Sequence, residues 1–153
     1  MIFRYKNISI SLDEELYKDY ISNHLKTSNT ETGGIICGYY SSDLTSAVVT
    51  KMCLPTPDSI LKQASFQRGV QGLKNFLKNE WDDGKYYLGD WHLHPNVSPI
   101  ASKQDLMQLE NNAKDKSLKC PEPIMIILGG NKNCITVNIY IFIDGDIKVC
   151  ERD

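Results

Sequence analysis

The sequence predicts an α/β fold in which a mixed β-sheet is flanked by two or three helices. Two apolar runs, Gly33 to Tyr40 and Ile124 to Leu128, are typical of buried strands. Between them, apolar residues recur at the spacing of an amphipathic helix. Near the C-terminus, Ile135 to Ile143 and Asp146 to Glu151 flank Asp144-Gly145, which predicts a β-hairpin. Because a hairpin pairs antiparallel strands, it favours a mixed sheet over a parallel one.

The N-terminal segment predicts a strand followed by a helix. Residues 2–10 alternate between apolar and polar side chains, as strands do. Ser11 and Glu14 have the spacing of a capping box, in which each side chain satisfies an unpaired backbone N–H. A helix is therefore expected at 12–26. Its apolar residues share roughly one face: Leu12, Leu16, Ile21 and Leu25.

The middle of the chain predicts a second strand and a second helix. Ala47 to Leu54 is strand-like, and Pro55 and Pro57 interrupt regular structure after it. A helix is expected near 65–81, and Asp83-Gly84 ends it. Its apolar residues keep helical spacing: Phe66, Val70, Leu73, Phe76 and Leu77.

The second half continues the alternation of strands and helices. Tyr86 to His92 predicts a strand, Ser102 to about Lys114 a helix, and Gly129-Gly130 a turn. Neither a repeat nor a linker interrupts the pattern. A chain of 153 residues suits one domain with one substantial core, so residues 1–153 are expected to form a single domain.

Composition narrows the class of protein. The net charge of -2 and the lack of a basic stripe argue against nucleic acid as a partner. The longest apolar run is too short to span a bilayer, and the N-terminal segment lacks the pattern of a secretory signal. The cysteines are odd in number, scattered and without a CxxC pair, which favours reduced thiols in a cytoplasmic protein. They are Cys37, Cys53, Cys120, Cys134 and Cys150.

The candidate chemistry lies between Trp91 and Asp105. His92 and His94 are two residues apart on a predicted strand, so both imidazoles point to the same face and can reach one ion. Pro95 then stops the strand. The ten residues between His94 and Asp105 allow the chain to fold back and deliver a carboxylate from a helix start. Two histidines and one carboxylate match a catalytic zinc site, which leaves a fourth position for water.

Each of these residues can also have a purely structural role, without a metal. The two histidines can be half-buried imidazoles, and Ser102 with Asp105 can be a capping box. Both roles are compatible for Asp105, because a helix N-terminus favours the ionised carboxylate that a metal needs. The remaining histidine, His24, falls on the predicted first helix, and no cysteine is placed to complete a structural zinc site.

At this point the segment resembles a known family. The pattern His92-Leu-His94-Pro95, six residues, Ser102, two residues and Asp105 is similar to the signature of the JAB/MPN metallopeptidases, also called JAMM proteases. The spacing fits throughout. The resemblance covers nearly the whole chain, from the early helix to the terminal strands.

An upstream element strengthens the resemblance. The family's remaining functional residue is a glutamate before a glycine-rich strand, and Glu31 followed by Gly33 and Gly34 looks like it. These glycines either let a substrate backbone approach or serve only the turn into the strand. One departure is Ala101, where many members have proline. It concerns loop rigidity and not the ligands.

The resemblance implies an MPN/JAB, cytidine deaminase-like fold and a zinc metallopeptidase. One Zn²⁺ per chain would be held by His92, His94 and Asp105, and would lower the pKa of a bound water. Glu31 would act as general base and Ser102 would donate to the oxyanion. The alternatives are a solvated loop carboxylate for Glu31 and a plain helix cap for Ser102.

The likeness is narrower still to the bacterial Prok-JAB branch, through the segments ETGGIICG and YYLGDWHLHP. Some members of that branch are encoded in CBASS antiphage operons beside E1- and E2-like proteins. The resemblance implies an isopeptidase that cleaves a protein conjugate after the extended C-terminal tail of a ubiquitin-like protein or a nucleotidyltransferase. Such a tail is expected to add as a strand at a sheet edge beside the metal site. A hydrolase of small peptides or amides and a non-catalytic MPN scaffold are the alternatives.

Overall fold

The computed structural model describes residues 1–21 and 29–153. In this part of the chain, ten strands and three helices alternate. The strands are β1 Ile2–Tyr5, β2 Ile8–Leu12, β3 Thr32–Tyr40, β4 Ser46–Met52, β5 Ile60–Lys62, β6 Ser65–Gln67, β7 Tyr86–Pro95, β8 Ile124–Asn131, β9 Cys134–Ile143 and β10 Asp146–Arg152. The helices are α1 Glu14–Tyr20, α2 Leu73–Asp82 and α3 Lys103–Lys114.

Eight of the strands form a closed barrel. Their order is β1-β10-β9-β8-β7-β3-β4-β2, and β1 closes the ring by pairing with both β10 and β2. The pairs β7–β8 and β2–β4 are parallel and the others are antiparallel, which confirms the predicted mixed sheet. Closure itself was not predicted, because it depends on pairing between residues some 150 positions apart, as between Phe3 and Arg152.

Closure limits the free sheet edge near the candidate site. β7 lies between β3 and β8, and β3 lies between β4 and β7, but the pairing of β3 with β4 begins only at Ile36, so the first residues of β3 pair with β7 alone. Among the described strands, β5 and β6 are paired on one side along their whole length, because they form a separate hairpin.

The N-terminal prediction was partly wrong. Residues 2–10 are not one strand, because the chain turns at Lys6, whose φ is +52°, and continues as β2. β2 extends through Leu12, which is fully buried in the barrel, so the helix begins later and Ser11 does not cap it. Asp13 is the cap instead, and its carboxylate accepts the N–H of Leu16 at 2.8 Å. Part of the predicted helix, including His24 and Leu25, lies outside the described residues.

The second helix is shorter than predicted. α2 begins at Leu73, after Gly72 in the left-handed region at φ +80°. Phe66 lies on β6 and not on the helix, and Val70 is exposed in the connection between them. The helical spacing of these two residues is therefore a coincidence. The apolar residues that do face inward on α2 pack against β3 and β7, and they are Leu73, Phe76 and Leu77.

The other predicted elements are confirmed with one adjustment. Strands β3, β4 and β7, helix α3 and the C-terminal hairpin occur where the patterns place them. Gly129 and Gly130 do not turn the chain, because β8 continues through them to Asn131 and pairs with β9. The turn follows at 132–133.

The core fills the barrel and sets which residues of β7 face outward. Trp91 and Leu93 point inward and join a cluster with residues such as Ile36, Ile126 and Ile139, all nearly free of solvent contact. Burying each such side chain contributes about 1.5–3 kcal/mol. Because strand side chains alternate, the residues flanking Trp91 and Leu93 must point to the outer face.

All five cysteines carry free thiols, three of them buried. No helix in the described ranges is long and apolar enough to cross a bilayer.

Candidate metal centre and its cleft

Strand β7 presents the two predicted imidazole ligands on its outer face. His92 and His94 are 5% and 6% exposed, and they alternate with the core residues Trp91 and Leu93. β7 pairs with β3 on one side and β8 on the other. Hydrogen bonding on both edges fixes the backbone, so the two imidazoles project from a rigid support.

Asp105 reaches these imidazoles from the first turn of α3. Its Oδ1 lies 2.6 Å from His92 Nδ1, and its Oδ2 lies 3.3 Å from His94 Nε2. The helix begins with the predicted capping box. The Ser102 N–H donates to Asp105 Oδ2 at 2.6 Å, and the Asp105 N–H donates to Ser102 Oγ at 3.2 Å. Asp105 therefore caps the helix and contacts both histidines at once.

The electrostatics of the cluster favour an ionised carboxylate. Burial raises the pKa of Asp105, but hydrogen bonds with His92, His94 and Ser102 outweigh burial and hold that pKa well below its usual range. The hydrogen bond with Asp105 raises the pKa of His94, although burial opposes it. A carboxylate that stays charged at any ordinary pH is the form that a cation requires.

The donor set fits a divalent metal ion. One ligand atom from each of His92, His94 and Asp105 lies within 4.8 Å of the others, and all three residues are buried. His92 Nε2 is buried without a hydrogen-bond partner. Imidazole nitrogen and carboxylate oxygen are common zinc ligands, and three protein ligands leave a coordination position open.

The loop between β7 and α3 supports the cluster from behind. Asp105 is the main group that raises the pKa of His94, and the backbone of Ile100 in this loop adds to that effect. The next residue, Ala101, donates its N–H to the Tyr140 hydroxyl at 3.1 Å. At the start of the loop, the Gly130 N–H donates to Val97 O at 2.6 Å. The loop is thus tied to β8 and β9.

Glu31 lies at the opposite wall of the same cleft. It directly precedes β3, is partly buried, and donates its N–H to Lys62 O of the β5–β6 hairpin at 2.9 Å. Burial raises the pKa of its carboxyl, while the charge of His94 opposes that effect. The cleft has a volume of about 250 Å³. Its walls are Glu31, Ala64, Phe66, His92, Ser102, Lys103, Gln104, Asp105 and Gln108.

Of the two roles that the sequence left open for Ser102, the structure shows the helix cap, and the role as oxyanion donor stays a prediction. It caps α3, and it is exposed on the cleft wall. Its hydroxyl donates to Asp105 Oδ2 at 2.6 Å. The geometry therefore fits the helix cap and leaves the hydroxyl within reach of a molecule in the cleft.

Gly33 and Gly34 lie inside β3 and not in a turn. A Cβ on Gly33 would lie 2.5 Å from Trp91 O and 2.7 Å from a ring atom of His92. A Cβ on Gly34 would lie 2.2 Å from Cys53 O. Both glycines are needed because the chain packs against its own backbone. The predicted role in a turn is wrong, since they lie within a strand, whereas the approach of a substrate backbone stays a prediction.

Sequence reasoning missed two contributors to the site. Phe66 packs edge-on against His92, with ring centroids 5.4 Å apart and planes at 75°, yet its spacing suggested a helix. Gln108 lines the cleft one helical turn after Asp105 and Gln104. Helical periodicity alone could have identified Gln108, whereas nothing in the sequence indicated Phe66.

Known proteins are similar to this chain in sequence and in fold. The profile of the family described as prokaryotic homologs of the JAB domain, Prok-JAB, matches residues 13–140. A CD-NTase/cGAS isopeptidase from Enterobacter hormaechei subsp. hoffmannii (strain UCI 50) is 38% identical over 123 residues, which are 80% of this chain and 68% of that protein. The probable metalloprotease y4qB of Sinorhizobium fredii (strain NBRC 101917 / NGR234) is 30% identical over 129 residues, 81% of this chain and 78% of that protein.

A solved structure extends the likeness to the fold. The solution structure of DSY2949 from Desulfitobacterium hafniense superposes with a TM-score of 0.68, covering 93% of this chain and 90% of that one, at 15% identity. At that identity the likeness concerns the fold alone. The sequence matches over most of the chain show that this protein belongs to the Prok-JAB family, the prokaryotic homologs of the JAB domain.

Proposed function

We propose that this protein is a zinc-dependent isopeptidase that cleaves protein conjugates after an extended C-terminal tail. One observation carries the proposal: His92, His94 and Asp105 form one cluster, and two of its members, His92 and Asp105, line the same cleft as Glu31. Peptidase activity also agrees with the names of its relatives, an isopeptidase and a probable metalloprotease. A single domain spanning residues 1–153 would carry the whole activity.

His92, His94 and Asp105 would hold the zinc. When bound, the zinc supplies Lewis acidity that lowers the pKa of water and polarises the scissile carbonyl. The ionised state of Asp105 and the contacts of its carboxylate with both imidazoles support this assignment. One site per chain is expected, because the described residues contain one such cluster.

Glu31 would accept a proton from the attacking water on its carboxylate. The same carboxyl would then deliver that proton to the nitrogen of the departing amine. The peptide or isopeptide bond therefore breaks without leaving a negative charge on that nitrogen. Partial burial raises its pKa, which favours the protonated form that the second step requires. Its backbone is held by Lys62, so the side chain can act from a defined position.

Ser102 would stabilise the negative charge that develops on the substrate carbonyl oxygen. Its hydroxyl is on the cleft wall and would turn from Asp105 toward that oxygen. The Ser102 backbone N–H remains bonded to Asp105, so the helix start stays intact during this change.

The proposed substrate is a protein tail and not a small amide. The name of the Enterobacter relative refers to conjugates of a CD-NTase, a nucleotidyltransferase class, so a nucleotidyltransferase or ubiquitin-like tail is the proposed substrate. E1- and E2-like partners would build the conjugate. Because the β5–β6 hairpin pairs with no other strand and borders the cleft, the tail would pair with one of its open edges. The reaction would take place in the cytoplasm, where free thiols stay reduced.

The test uses zinc-loaded protein and three kinds of substrate. The first is a nucleotidyltransferase tail fused through its C-terminus to a reporter protein, the second is the same reporter behind an unrelated tail, and the third is a set of small amides. Mass spectrometry should locate the cut at the last residue of the authentic tail. The Glu31→Gln protein serves as the matched inactive control.

Equal cleavage of all three substrates would contradict the tail proposal and favour the small-substrate hydrolase. No cleavage of any of them by zinc-loaded protein would favour the scaffold alternative.

A further inference from the structure

The β5–β6 hairpin, residues 60–67, covers the cleft without belonging to the barrel. Its two strands pair only with each other, and every residue of β5 is exposed. It nevertheless supplies Ala64 and Phe66 to the cleft wall, and Lys62 O accepts the N–H of Glu31. The positions of Glu31 and of the Phe66 side chain in the cleft therefore depend on how this hairpin is attached to the barrel.

The base of the hairpin is organised by its own polar contacts. Asp58, before β5, accepts the N–H groups of Val70 at 2.9 Å and Gln71 at 3.0 Å, which follow β6. Ser59 Oγ accepts the N–H of Gly69 at 3.0 Å. These bonds make the hairpin and its base one unit, but they do not tie that unit to the barrel.

Arg68, the residue after β6, makes that connection. Its Nε lies 3.2 Å from Asp90 Oδ1, and the side chains are 16% and 0% exposed. The two atoms have the distance of an ion pair without the angle of a hydrogen bond, so attraction between the charges holds them. In the described ranges, this is the only ion pair that joins the hairpin unit to the barrel.

Asp90 is on the same strand as the two histidines of the candidate metal centre. It is two residues before His92 on β7 and shares the outer face with both histidines. Its second oxygen, Oδ2, accepts hydrogen bonds from Tyr87, Gln108 and Asn112. The carboxylate is therefore fixed to β7 and α3, the same elements that carry the ligands, and it offers Arg68 a rigid anchor.

A buried ion pair usually adds little to the free energy of unfolding. Removing two charges from water costs free energy that their attraction often fails to return, and apolar replacements are frequently as stable. Such a pair does, however, define one position for the segment that carries it. The planar guanidinium of arginine also limits the orientations of the pair more than the ammonium of a lysine would.

We infer that Arg68 and Asp90 are positioning residues that hold the β5–β6 hairpin against the metal strand. The pair keeps Phe66 against His92 and keeps Lys62 O beneath the Glu31 N–H, so the glutamate faces the cleft. This inference rests on the proposed function for its kinetic consequence, but its structural part can be measured without any substrate.

The first experiment measures amide hydrogen exchange in the whole protein. In Arg68→Gln, the Glu31 amide should exchange at least about 10-fold faster, because the hairpin that accepts its hydrogen bond opens more often. The Ile126 amide, in the middle of β8, should keep its rate. Lys51→Gln is the matched control, because it removes the other partly buried ion pair, with Glu80, which joins β4 to α2. That control should leave the exchange of Glu31 unchanged.

Equal acceleration at Glu31 and Ile126 would overturn the inference, since the pair would then be a global stabiliser. No change at Glu31 would overturn it as well. If Arg68→Gln does not fold, Asp90→Asn provides the same measurement, because asparagine still accepts from Tyr87, Gln108 and Asn112 but carries no charge for Arg68.

The second experiment is kinetic. Arg68→Gln should lower kcat about 10- to 100-fold by displacing Glu31, whereas bound zinc should stay at one per chain. Arg68→Lys keeps the charge and should recover part of kcat, while Lys51→Gln should match the parent protein. A loss of zinc in Arg68→Gln, or an equal loss of kcat in the Lys51 control, would contradict a positioning role. If the parent protein cleaves nothing, the proposed function fails, and the exchange data still decide the inference.

Discussion

The two walls of the cleft are built in different ways. One side of the site, which we call the ligand wall, carries the predicted ligands His92, His94 and Asp105. It consists of β7, which is paired on both edges, and the first turn of α3, whose capping box contains Asp105. The wall that holds Glu31 depends on a two-stranded hairpin attached by one backbone hydrogen bond, one aromatic contact and one ion pair. We therefore expect the barrel to fix the geometry of the three predicted ligands, and the attachment of the hairpin to set the placement of the proposed base.

The largest effect is expected from breaking the ligand wall. Asp105→Ala removes a carboxylate that contacts both histidines, so zinc content and activity should both be lost. Elemental analysis of protein purified without a histidine tag gives the metal content, which should be about one zinc per chain before substitution. His92→Ala should behave in the same way. Full activity in metal-free protein would refute the metal mechanism.

Breaking the opposite wall should separate activity from metal content. Glu31→Gln should lower turnover by about 10² to 10⁴, the usual contribution of a positioned general base. Zinc should stay bound, because Glu31 is not among the three clustered ligands. Steady-state kinetics and elemental analysis on the same sample provide the check. Turnover close to that of the parent would assign the base to another group.

An intermediate effect is expected at Ser102, which belongs to the ligand wall and also faces the cleft. Ser102→Ala should lower turnover by about 10²-fold if the hydroxyl stabilises the oxyanion. It should also reduce the free energy of unfolding by about 1 kcal/mol through loss of the cap. Asp13→Ala is the matched control, since it removes the cap of α1 through the same type of bond. If both variants lose stability and neither loses turnover, Ser102 is only a cap.

The smallest effect is expected behind the ligand wall. Tyr140→Phe removes the hydroxyl that accepts the Ala101 N–H and should reduce the free energy of unfolding by about 1 kcal/mol. Turnover should change only severalfold, because the loop keeps its backbone hydrogen bonds with Gly130. Chemical denaturation and kinetics measure the two quantities. A loss of zinc in this variant would show that the ligand wall is less rigid than the pairing of β7 implies.

The sequence predicted the ligand wall better than the opposite wall. His92, His94 and Asp105 are close along the chain, and strand and helix periodicity together place their side chains on one side. Glu31 lies some 60 residues upstream, and only the resemblance to a family connected it with the histidines. The β5–β6 hairpin was not predicted, because Phe66 and Val70 have helical spacing by coincidence while Gly69 and Gly72 interrupt any helix.

The global topology shows a similar limit. Most strands were predicted from local features, namely apolar runs, alternation and turn residues such as Asp144-Gly145 in the C-terminal hairpin. The closed barrel was not, since it requires β1 to pair with β10, and local patterns carry no information on such distant partners. Leu12 illustrates the effect at one residue, because burial in the barrel extends β2 through a position that the pattern assigned to a helix.

The pairing of β1 with β10 also has a consequence for the timing of folding. Among the barrel strands, β10 is synthesised last. β1 therefore lacks one of its two neighbours until every other barrel strand has been made. Contacts between residues so distant along the chain slow folding. The ligand-bearing strand β7 is complete long before the ring can close, and a partly made chain therefore holds the chemistry of the cleft on an open sheet. The ring therefore closes only after β10 has been synthesised, whereas β7 can pair with β3 and β8 before that.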